Sequence, residues 1–61
     1  MKQNKIANET GFNDGLNGKK YNARQFITSK IIEENVSVMK AYAKGYHAGI
    51  AKALINNLQK N

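Results

Sequence analysis

The sequence predicts an all-α fold: a helical hairpin of a short N-terminal helix and a long C-terminal helix, in one small domain covering residues 1–61, oligomeric or bound to a partner. Three observations predict it. The chain has no Pro, its five Gly fall into an early and a late group, and its apolar residues from Ile27 to Leu58 recur every three or four positions. That spacing is the helical period and not the alternation of a strand.

The first helix is expected from about Lys5 to Asn17, with Gly18 ending it, because glycine adopts the left-handed cap conformation at little cost. Lys19, Lys20 and Tyr21 then form a short turn. Gly11 and Gly15 cost roughly 1 kcal/mol each against alanine inside a helix, so a tertiary contact must favour them. The second helix is expected from about residue 23 to residue 59. Asn22 is its N-cap candidate, since an Asn side chain can accept from the amides of the first turn. A bend or break is expected at Asn35-Val36-Ser37-Val38, where β-branched and cap-prone residues cluster.

The glycines belong to an internal repeat. At a constant offset of thirty-four, Ala7, Gly11, Phe12, Gly15 and Leu16 align with Ala41, Gly45, Tyr46, Gly49 and Ile50. Each copy lines up small residues as a ridge with an aromatic beside it, which lets two helix axes approach closely. Gly11, Phe12, Gly15, Gly45, Tyr46 and Gly49 are therefore the expected helix-packing residues. On a helical wheel Val36, Met39, Ala43, Tyr46, Ile50 and Leu54 share one face, with Tyr42, Gly45, Gly49 and Ala53 on its flank. So wide an apolar face exceeds what one short helix can cover, and the surplus predicts a homodimer or a hydrophobic docking site.

Ten Lys plus Arg against four Asp plus Glu leave a net charge of +6, which gives so small a body a strongly positive potential. The cations form two sets: Lys19, Lys20 and Arg24 around the turn, and Lys40, Lys44 and Lys52 along the last helix. These six are the candidate polyanion-binding residues; a Lys face that only keeps the chain soluble fits the pattern equally well. Tyr21, within the first set, can stack on a base or cap the core. With a single Arg, contact with phosphates or nucleic-acid shape is expected ahead of base reading.

Nothing in the chain points to catalysis, and no cofactor, metal or small-molecule substrate is expected. Gly11-x-x-x-Gly15-x-x-Gly18 lacks the spacing of a dinucleotide or phosphate loop. Gly15 and Arg24 stand where a calcium loop starting at Asn13 would need oxygen ligands. His47 has no Cys or carboxylate on its face, Glu33 and Glu34 splay apart as helix neighbours, and Ser29, Ser37, Thr10 and Thr28 have no base to activate them. The absence of Cys fits a reducing compartment, and neither a signal-peptide core nor a membrane span is evident; a cytoplasmic location is expected.

Two elements, Gly11-Phe12-x-x-Gly15-x-x-Gly18-Lys19 and Tyr42-x-x-Gly45-Tyr46-x-x-Gly49, resemble those of the ribosome modulation factor family of small basic bacterial proteins. The resemblance implies a two-helix fold that binds the small ribosomal subunit at its RNA, blocks initiation and promotes ribosome dimers in stationary phase. The expected function is accordingly a non-enzymatic, RNA- or ribosome-binding translation modulator. The competing expectation is a small inhibitor, of the kind phages and mobile elements encode against host defences, that grips a host protein through its apolar helix face.

Overall fold

The computed structural model describes residues 2–59, which form two α-helices and one short 3₁₀ turn: α1 at Lys2–Leu16, the 3₁₀ turn at Ala23–Phe26, and α2 at Ile32–Gln59. The expected all-helical pairing of a short first helix with a long last one is present, and no strand occurs among the described residues. The two helices run in the same direction. Asn4 Nδ2 donates to Ser37 Oγ (2.9 Å), Asn8 Nδ2 donates to the Ala41 carbonyl (3.2 Å), and Gly15 lies against Tyr46, so position along α1 rises with position along α2.

Parallel helices need a connection that returns the length of the first one. α1 is about 22 Å long at 1.5 Å per residue, and residues 17–31 cover that distance with the 3₁₀ turn taking up the slack. The return begins at Gly18, whose φ of 70° is the left-handed conformation that favours glycine. Its N–H donates to the Gly15 carbonyl (3.3 Å) and that of Lys19 donates to the Asp14 carbonyl (2.8 Å), which is the Schellman pattern of helix termination.

The long helix starts nine residues later than the sequence suggests. Ile27 and Ile31 continue the spacing of Ile32 and Val36, yet they lie in the connection and are exposed. Asn22 makes no side-chain cap. Instead, Ser29 Oγ accepts from the Ile31 N–H (3.0 Å) and donates to Glu34 Oε1 (3.0 Å), while Asn35 accepts from the Ser29 N–H (3.1 Å) and donates to its carbonyl (2.8 Å). This network holds residues 29–31 out of the helix, with a bend at Lys30, and α2 then runs unbroken through Asn35-Val38. The cap-prone cluster marks a helix start, not an interruption.

Glycine sets the distance between the helices. A Cβ on Gly11 or Gly15 would collide with the carbonyl oxygen of Tyr42 or Tyr46, and one on Gly45 or Gly49 with that of Asn8 or Phe12. The contact maps onto itself when the helices are exchanged, because Asn8 and Tyr42 stand at the same offset of thirty-four as Gly11 and Gly45. At each glycine an α-hydrogen faces a carbonyl of the other helix, a geometry suited to weak Cα–H···O bonds of about 0.5–1 kcal/mol.

The buried side of α2 is consequently Val38, Tyr42, Gly45 and Gly49, packed on Ala7, Gly11 and Gly15 of α1 and on Ala23 of the connection. This corrects the helical-wheel reading. Val36, Ile50 and Leu54 lie on an exposed side, because the line of closest approach passes through the glycines and leaves the larger residues to one flank.

Candidate nucleic-acid interface

Four contacts pin residues 19–26 along the helix pair. The Tyr46 hydroxyl donates to the Lys19 carbonyl, the Asn22 N–H donates to the Tyr42 hydroxyl (3.1 Å), Ala23 is buried in the core, and the Phe26 ring lies 5.8 Å from that of Tyr42. Between them the Tyr21 ring stands edge-on to both Tyr42 (5.2 Å, 69°) and Tyr46 (5.1 Å, 88°). Such perpendicular arrangements suit the ring quadrupoles and fix the orientation of Tyr21. Half of Tyr21 is exposed, at 50%.

In the same loop Lys19, Lys20 and Arg24 are exposed. The backbone that carries them is held by its own carbonyl and amide contacts, leaving the ammonium and guanidinium groups available to solvent. The result is one aromatic platform within a cationic loop on a fixed backbone.

Lys40 and Lys44 are exposed too, but the structure does not bring them to this loop. Each lies two residues from a tyrosine that carries the loop, Tyr42 or Tyr46, and two residues on an α-helix is a turn of about 200°. Lys52 lies beyond the level of Gly49, which packs on Leu16 at the end of α1. The six candidate cations thus form a loop set and a separate helix set.

Gly11, Gly15, Gly45 and Gly49 all lie in the α1–α2 contact. Phe12 and Tyr46, equivalent in the repeat, are both half-buried, but only Tyr46 carries the connection. Exposed His47 meets Tyr46 edge-on at 6.5 Å.

Sequence reasoning missed Tyr42 as the centre of this assembly. It is fully buried, donates to Asp14 Oδ2 (2.7 Å) and accepts from Asn22. Burial pushes its phenol above the ordinary value, and the bond to Asp14 adds to that. The Asn22 amide acts the other way. Asn4 and Asn8 were missed as well; they precede Gly11 on the same side of α1, a polar and small-residue stripe that a search for apolar periodicity passes over.

No group of three or more metal-binding side chains occurs among the described residues, and no helix there is long and apolar enough to cross a membrane. No protein-family model, curated protein or solved structure matches the chain.

Proposed function

We propose that this chain is a small non-enzymatic RNA-binding protein, acting on ribosomal RNA as a translation modulator, with the 19–26 loop as its contact surface. The observation that carries the reading is the half-exposed Tyr21, its ring packed against two other tyrosines, in the same short loop as the exposed Lys19, Lys20 and Arg24. A base stacked on an aromatic ring with cations on the neighbouring phosphates is the usual arrangement for single-stranded RNA. The net charge of +6 and the resemblance of the glycine-aromatic elements to ribosome modulation factor support the same reading.

The test is fluorescence anisotropy of a labelled single-stranded RNA between 50 and 200 mM salt. Three phosphate contacts at a slope of about −0.7 each weaken binding about 20-fold over that range. Tyr21→Ala should weaken binding at every salt concentration with an unchanged slope, by about 1–3 kcal/mol. Lys20→Ala should flatten the slope. Absence of RNA binding, or binding indifferent to salt and to Tyr21, would refute the reading.

The exposed apolar side of α2 favours a second reading, an inhibitor that docks on a host protein. Binding of that kind is driven by apolar burial and varies little with salt.

A further inference from the structure

We propose that the outer side of α2 is an interface with a second copy of this chain, packed antiparallel about a two-fold axis at Ala43. Ile32, Val36, Ala43, Ile50 and Leu54 follow one another at helical spacing along this side, turned away from the glycine contact. Their order is self-complementary. Val36 and Ile50 lie seven residues to either side of Ala43, and Ile32 and Leu54 lie eleven to either side.

Exposure follows the same symmetry. Val36 and Ile50 are 43% and 37% exposed, and further out Ile32 and Leu54 are 72% and 59% exposed. Reversing one helix against another therefore sets Ile32 on Leu54, Val36 on Ile50 and Ala43 on Ala43. The small central residue permits close approach, and the large ones at the ends have the most surface left to bury. An isologous interface requires this kind of self-complementarity, whereas a groove on a foreign protein does not.

Ile32, Val36, Ile50 and Leu54 together leave on the order of 400 Å² per chain, so the seam reaches the roughly 600–1,000 Å² per partner of stable interfaces by burying flanking side chains such as the exposed Lys40 and His47 as well. Antiparallel packing also opposes the two helix dipoles, which parallel packing would align. The inference stands whether or not the loop binds RNA.

The chain contains no Cys, so single cysteines report contacts without background. Under mild oxidation, a mixture of Ile32→Cys and Leu54→Cys chains should form the mixed disulfide, while Ile32→Cys alone should form little. Sedimentation equilibrium at about 100 μM, a concentration that a low-micromolar Kd would saturate, should give the dimer mass for the parent. The Val36→Lys, Leu54→Lys double variant should give the monomer mass with an unchanged helical circular dichroism spectrum. A monomeric parent, a double variant that remains dimeric, or a dominant Ile32→Cys self-disulfide would overturn the proposal.

Discussion

The Tyr42 hydroxyl donates to the Asp14 carboxylate across the two helices while accepting from the backbone N–H of Asn22. One phenol thus ties the last turn of α1 and the returning connection to the middle of α2. Tyr42→Phe keeps the ring and its packing but leaves the other two groups without that partner. The expected loss is about 1–3 kcal/mol, read from chemical denaturation. A variant as stable as the parent would show that both groups find water at no cost.

The same group sets an alkaline limit. Its phenol titrates above the ordinary value, so the folded state holds the proton more tightly than the unfolded one. The stabilisation is complete below the unfolded value of about 10 and is lost as pH rises through the raised folded value. The thermal midpoint of the parent should fall more steeply above about pH 10 than that of Tyr42→Phe, which lacks the titrating group. Parallel curves for the two proteins would contradict the assignment.

The start of α2 can be tested with two substitutions that a sequence reading would rank in the opposite order. Ser29→Ala removes the acceptor for the Ile31 N–H and the donor to Glu34, and should cost about 1 kcal/mol. Asn22→Ala removes no side-chain cap, and should fall within about 0.5 kcal/mol of the parent. Thermal unfolding followed at a helical wavelength measures both.

The glycine repeat was legible because four glycines inside helices are costly and their common offset gives that cost a purpose. Helix direction was not, since the same offset of thirty-four serves parallel and antiparallel ridges equally. The start of α2 was hidden because Ile27 and Ile31 keep the helical spacing by coincidence, while side chains five and six residues away, Glu34 and Asn35, hold Ser29 out of the helix. At the loop, the charges of Lys19, Lys20 and Arg24 could be read directly. The fixing of Tyr21 could not, because Tyr42 and Tyr46 lie more than twenty residues away in sequence and reach it only through the parallel return.

All of these features rest on the close approach of α1 and α2, which Gly45→Ala tests most directly. Alanine is the better helix former by about 1 kcal/mol, so a glycine free of tertiary contact would yield a more stable protein. Here the added methyl meets the Asn8 carbonyl, with Phe12 N 3.0 Å away; both are backbone atoms, and no side-chain rotation can relieve them. Forcing the helices apart should cost about 1–3 kcal/mol beyond the propensity gain. At roughly 4–8 °C per kcal/mol for a domain this small, the thermal midpoint of Gly45→Ala should fall about 4–24 °C below the parent's. A midpoint at or above the parent's would contradict the glycine-to-carbonyl contact and the helix pairing built on it.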